Sequence, residues 1–206
     1  MDKIVITLGL FSVFCCRSSA QQQQDVRKQK WSFSATNYYY VIPEGNLLTV
    51  IATADHKKLH FETRYNYEDE ETGSVFAGWR FEANGKVAFE AVPMLGFVFG
   101  NTNGIAPGLE LTAAFNKFDF YSESEYVIDF SVRENNFLYT WGELAINLGS
   151  FRTGISCQRT LLYQTDFDTQ LGIFAEYSIG KFTAGAYYFN PFSNDDLVTI
   201  SAGIEF

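Results

Sequence analysis

The sequence predicts an all-β fold: one antiparallel, up-and-down β-barrel of about twelve strands, with ten as the alternative count. Three observations predict it. From Trp31 onward the chain divides into segments of roughly nine to fourteen residues whose side-chain character alternates with period two, as extended backbone requires. The connections between these segments alternate between very short ones and longer, polar ones. No long period-3.6 pattern competes in this chain of 206 residues, which has four prolines and 17% aromatic residues.

Residues 1–20 stand apart from the barrel. Lys3 precedes the apolar run 4–14, and Ser18-Ser19-Ala20 supplies the small residues of a signal-peptidase site, so cleavage before Gln21 is predicted. Cys15 and Cys16 suggest lipidation, but Phe14 or Cys15 stands where a lipobox needs a small residue. Once the leader is removed, Cys157 is the only cysteine and no internal disulfide can form. Residues 21–30 read as a polar tail, with four glutamines followed by Asp25, Arg27, Lys28 and Lys30. The formal charge is −9; the leader carries two bases and one acid, which leaves −10. Nucleic acid is a poor partner for that balance.

The barrel occupies residues 31–206. Its first two strands, 31–42 and 46–54, alternate weakly. The third, 58–68, is the clearest: Leu59, Phe61, Thr63, Tyr65 and Tyr67 share one face, and His60, Glu62, Arg64, Asn66 and Glu68 the other. In 73–83, Val75, Ala77, Trp79 and Phe81 oppose Ser74, Gly78, Arg80 and Glu82. Asn84-Gly85 then predicts a two-residue hairpin with positive φ at both positions. Strand 86–99 contains Pro93, which cannot donate to a ladder and predicts a bulge or local break. The remaining strands are 108–116, 118–130, 136–148, 151–163, 169–179, 182–190 and 197–206.

The short connections are 55–57, 84–85, 116–117, 149–150 and 180–181. The others are 43–45, 68–72, 100–107, 131–135, 164–168 and 190–196, mostly longer and polar. Strict alternation of this kind matches barrels with short periplasmic turns and long external loops.

The last strand carries a more specific sign. Val198, Ile200, Ala202, Ile204 and Phe206 lie on one face, opposed by Thr199, Ser201, Gly203 and Glu205, and the sequence ends on the aromatic. This resembles the C-terminal signature of small bacterial outer-membrane β-barrel proteins. The resemblance implies export to the outer membrane of a diderm bacterium, reading of that strand by the barrel-assembly machinery, and contact with outer-membrane lipid and lipopolysaccharide.

No apolar stretch after residue 20 approaches the roughly 18 residues of a spanning helix, so a membrane reading rests on strands. In a soluble secreted barrel the apolar faces would point inward. In a membrane barrel they meet lipid, and the polar set lines the lumen: Glu62, Arg64, Arg80, Glu82, Glu90, Glu110, Asp119, Glu123, Glu125, Glu143 and Glu176. A charge on the lipid face at the bilayer midplane costs about 2–4 kcal/mol, which favours confining these residues to one parity. Aromatics near strand ends, Tyr38 to Tyr40, Tyr65, Tyr67, Phe97, Phe99, Phe118 and Phe120, fit interfacial girdles.

Acids outnumber bases in this lumen set, which points to a narrow passive channel for small polar or cationic solutes. The alternative is a closed structural or surface-interaction barrel whose lumen charges pair with one another. A constriction is predicted in the 100–108 loop, at Asn103, Gly104, Ile105 and Pro107, with Ile105-Ala106 folded into the mouth. The acidic runs Glu68-Asp69-Glu70-Glu71, Asp166 with Asp168, and Asp195-Asp196 read as solvated loops able to meet divalent ions. A hydrolase is the weakest reading. Only His56 and His60 are present, both near the short-turn end, without a Gly-x-Ser-x-Gly elbow or metal-spaced His/Cys set. The sequence therefore predicts a monomer with no catalytic residues, no metal and no cofactor.

Overall fold

The computed structural model describes residues 30–41, 46–162 and 168–206. The predicted leader, nearly all of the polar tail, the whole 43–45 connection, and residues 164–167 of the 164–168 loop, Asp166 included, lie outside the described residues. Thirteen strands follow in order: β1 Ser32–Val41, β2 Leu47–His56, β3 Leu59–Tyr65, β4 Gly73–Trp79, β5 Phe81–Asn84, β6 Ala88–Phe99, β7 Gly104–Phe115, β8 Phe118–Asp129, β9 Phe137–Leu148, β10 Phe151–Leu162, β11 Asp168–Ile179, β12 Phe182–Phe189 and β13 Leu197–Glu205. Each pairs antiparallel with its chain neighbour except β4 and β5, which follow one another along β6 and make one crossing. The pairing of β1 with β13 closes the ring, so the barrel has twelve crossings. At this seam the Phe33 amide donates to the Phe206 carbonyl at 3.3 Å, and the Phe206 amide returns a bond to Phe33 at 2.8 Å.

Proline chemistry explains the division between β4 and β5. The Arg80 amide donates to Lys58 on the β3 side at 2.8 Å, so the peptide groups of Trp79 face β6, opposite Pro93. Proline has no N–H to give there. The register is unchanged across the gap, from Gly78 opposite Met94 to Phe81 opposite Ala91. The predicted bulge is therefore absent: β6 runs straight through Pro93, and the interruption falls in the facing strand.

Two other local expectations are corrected. Asn84-Gly85 does not form the two-residue turn. Asn84 pairs with Ala88 across a three-residue connection, and neither Asn84 nor Gly85 has positive φ. The 100–108 loop is also much shorter than predicted, because β7 begins at Gly104 and pairs with β6 and β8. Gly104 and Ala106 are buried toward the lumen, whereas Pro107 is exposed on the outer wall with Ile105 on the same parity. Only residues 100–103 remain as a turn, so Ile105-Ala106 is wall and not a constriction.

The outer surface is apolar. Phe61, Trp79, Leu95, Phe97, Ile173 and Ile200 are each between about one-third and three-fifths exposed, although every strand edge is already paired. Such a surface on a closed sheet is covered by lipid, not by another part of the chain. On β13, Val198, Ile200 and Ala202 belong to this face, while Thr199 and Ser201 are buried inside.

Candidate functional site

Three groups of charges and a wall of aromatic rings line the lumen. The first group centres on Arg64 of β3, whose side chain is 0% exposed. Its Nη2 lies 2.6 Å from Glu123 and its Nη1 2.8 Å from Glu125, both on β8, while Nε donates to Glu62. Glu68 approaches Nη1 at 3.8 Å. The guanidinium also lies against the rings of Tyr67 and Phe76, at 4.4 and 4.3 Å from their centroids. Delocalised charge and a planar fork suit arginine to this combination of carboxylate edges and aromatic faces.

Backbone conformation brings Tyr67 and Glu68 into this group. Simple alternation along 58–68 places Tyr67 outside, but β3 ends at Tyr65 and Asn66 takes a left-handed φ of 55°. The strand alternation is lost there, and both Tyr67 and Glu68 turn into the barrel. Asn66 suits the turn because it tolerates that φ. Its side-chain oxygen also accepts from the Glu71 amide at 2.8 Å. Ser74 donates to Glu68 at 2.5 Å, and burial pushes the Glu68 carboxyl above its ordinary pKa. The loop is built rather than merely solvated: Asp69 accepts from the Thr102 hydroxyl at 2.8 Å.

The second group lies toward the short-turn end. Arg80 is 2.7 Å from Asp55 and 2.9 Å from Glu90, and His60 is 2.8 Å from Asp55 through Nδ1 and 3.3 Å from Glu62 through Nε2. The Tyr121 hydroxyl lies 3.3 Å from Glu110 and 3.2 Å from Glu123, sharing one proton between two acids. Glu82 pairs in register with Glu90 but is exposed at the rim.

The third group surrounds Arg152 of β10, which reaches Asp119 at 2.6 Å, Glu143 at 2.7 Å and Glu176 at 2.8 Å. Tyr187 donates to Glu143 and Glu176 at 3.1 and 2.9 Å, and the Trp141 indole donates to Glu143 at 2.9 Å.

An aromatic partition separates the Arg64 and Arg152 groups. The rings of Tyr67 and Tyr139 meet edge to face at 5.3 Å, and Tyr38 lies 6.1 Å from Trp141. These contacts join the β1–β3 wall to β9, with four strands intervening on the shorter way round between β1 and β9. Tyr38, Tyr40 and Tyr67 are thus partition residues and not girdle residues, whereas Tyr65, Phe97, Phe99 and Phe118 face outward. A cavity of about 160 Å³ remains at the long-loop end, lined by Tyr40, Leu47, Thr49, Asn66, Tyr67, Tyr139 and Gln158.

Of the lumen residues read from sequence, Glu62, Arg64, Arg80, Glu123, Glu125 and Glu143 are buried; Glu90, Glu110, Asp119 and Glu176 are partly exposed, and Glu82 is exposed. Arg152 and Asp55 escaped that reading. Arg152 shares the parity of Ser156 and Gln158, which could have marked it as inward-facing. Among the described residues of the three groups, Asp55, Glu62, Glu68, Glu90, Glu110, Asp119, Glu123, Glu125, Glu143 and Glu176 stand with three guanidiniums and one imidazole.

No protein-family model matches the chain, and no curated protein sequence matches it. Solved structures do. The KdgM porin aligns with a TM-score of 0.59 at 12% identity, covering 84% of this chain and 98% of its own. The fold is that of the outer-membrane β-barrel porins. The NanC porin aligns with a TM-score of 0.57 at 11% identity, covering 84% and 98% of the two chains. Omp33 of Acinetobacter baumannii gives 0.50 at 12% identity, covering 86% and 98%. At these identities the likeness concerns the fold.

Proposed function

We propose that this chain is a monomeric outer-membrane channel of narrow bore that favours small cations and small polar solutes. The excess of carboxylates over guanidiniums along the lumen carries the reading, because lining charge selects permeant ions by sign. The porin fold and the lipid-facing outer wall support it. KdgM porin has been described in complex with disordered oligogalacturonate. A polyanion of that kind has the wrong sign for the lumen described here, so it is not the solute proposed for this chain. Lipid and lipopolysaccharide surround the inserted barrel, and the barrel-assembly machinery inserts it after removal of the leader near Ala20.

A second reading, a closed barrel with a structural or surface-interaction role, is favoured by one observation: Arg64 is inaccessible and the partition rings touch across the lumen. Reconstitution into planar bilayers separates the two. Discrete conductance with a reversal potential favouring K⁺ over Cl⁻ supports the channel. Silence at several voltages, from protein shown to be folded by its heat-modifiable gel mobility, supports the closed barrel. A hydrolytic role fits least, since the ring nitrogens of His60 face Asp55 and Glu62 and not a nucleophile.

A further inference from the structure

We propose that His60, Glu62 and Glu110 form a binding site for a divalent transition-metal ion of the zinc class, in the lumen near the short-turn end. One nitrogen of His60 and one oxygen from each carboxylate lie within 4.8 Å of one another. Two of them, His60 Nε2 and Glu62 Oε2, are 3.3 Å apart, which is long for a charge-assisted hydrogen bond. Two ligands each about 2.0–2.1 Å from a tetrahedral ion stand roughly 3.3 Å apart, so this spacing suits a shared metal.

The surroundings orient each ligand. His60 turns Nδ1 to Asp55 at 2.8 Å, and Asp55 is itself held by Arg80 at 2.7 Å. A metal-binding histidine commonly donates its second ring nitrogen to a carboxylate, which fixes the tautomer and leaves the first nitrogen free to ligate. Arg64 holds the other oxygen of Glu62, leaving Oε2 toward His60. Glu110 is anchored only loosely, by a tyrosine hydroxyl that it shares with Glu123.

Charge provides an independent argument. The guanidinium nearest the site, Arg64, is shared among Glu62, Glu123 and Glu125, so one positive charge meets three carboxylates, and Glu110 is held by a tyrosine hydroxyl. A doubly charged ion would offset the remaining negative charge. One imidazole with two carboxylates favours zinc-like ions over calcium or magnesium, which prefer oxygen alone. Three protein ligands leave a position for water. His60 lies two residues from Lys58 in the short turn, and Asp55 beside it is partly exposed, so the short-turn end is the nearer approach for an ion. The third ligand comes from β7, fifty residues away in sequence, which is why no short motif marks the site. The site stands on its own geometry and does not depend on conduction.

The test uses the folded barrel in detergent, loaded with Zn²⁺, desalted, and measured for metal per chain, with Co²⁺ absorption as a second readout. One ion per chain is expected in the wild type and in His56→Gln, whose ring stacks on Trp31 away from the site. Affinity should fall at least about tenfold in His60→Gln and in Glu110→Gln, with loss of the Co²⁺ ligand-field bands. Glu110→Gln preserves shape and decides the question if His60→Gln fails to fold. A wild-type barrel that retains no zinc, as an imidazolium in the site would dictate, overturns the proposal. So does zinc retained equally in a folded Glu110→Gln barrel, which would place the ion on the acidic loops.

Discussion

Arg64 and Glu125 meet at 2.8 Å across the barrel, although three crossings separate β3 from β8 around the wall. The pair ties two distant parts of one sheet together through its interior. Removing the cation would leave Glu62, Glu68, Glu123 and Glu125 clustered without the guanidinium that they share. Breaking a buried ionic group from one side typically costs about 3–5 kcal/mol. Arg64→Met is therefore expected to lower the stability of the folded barrel by about that amount in denaturant titrations. Glu125→Gln in the same chain should recover part of the loss, and a double-mutant cycle with no coupling would contradict the assigned contact.

The partition makes a separate prediction about conduction. Tyr67 and Tyr139 meet by ring contact inside the lumen, and truncating either side chain leaves the backbone pairs of β9 in place. Tyr67→Ala and Tyr139→Ala are each expected to raise single-channel conductance. The double variant should add little, because one missing ring already opens the gap. Additive increases would mean that the two rings obstruct separate paths.

The outward half of this fold was legible from the sequence, and the reason is physical. Bilayer contact imposes one rule on every outward position, so Phe61, Leu95 and Ile200 each report the same environment independently. Inward positions obey no such rule. Tyr38, Trp141 and Tyr187 are as apolar in body as the girdle residues, and only their cross-lumen partners distinguish them. The turn of Tyr67 into the lumen depends on one left-handed residue, Asn66, which a period-two pattern cannot register. The charge groups likewise join strands distant in sequence: Arg152 and Asp119 are thirty-three residues apart. What the alternation conveys is parity: Glu62, Arg64 and Glu123 lie on the polar parity of their strands and are buried.

The seam between β1 and β13 is where the ring closes, and Phe206 forms its last two backbone bonds with Phe33. Deleting Phe206 is expected to reduce the fraction of chain that reaches the heat-modifiable folded form. The conductance or stability of molecules that do fold should change little, since the remaining pairs from Ser34–Glu205 to Val41–Val198 are intact. Equal yields of folded barrel with and without the residue, measured by gel shift after expression, would remove its assembly role.

Ile173 tests the premise on which the lumen assignment rests. It lies near the middle of β11, is more than half exposed, and has Gly172 and Phe174 buried on either side. On a soluble barrel, arginine at such a position would be nearly neutral, because surface substitutions usually fall within about 0.5 kcal/mol. At the midplane of a bilayer the same change costs about 2–4 kcal/mol. Ile173→Arg is therefore expected to destabilise the barrel by about that amount in lipid vesicles, and Ile179→Arg, at the short-turn end of the same strand, by about 1 kcal/mol or less. The difference between the two positions is the informative quantity. Equal, small effects at both would mean that water and not lipid covers this wall, and the buried carboxylates would then have to be explained without a bilayer.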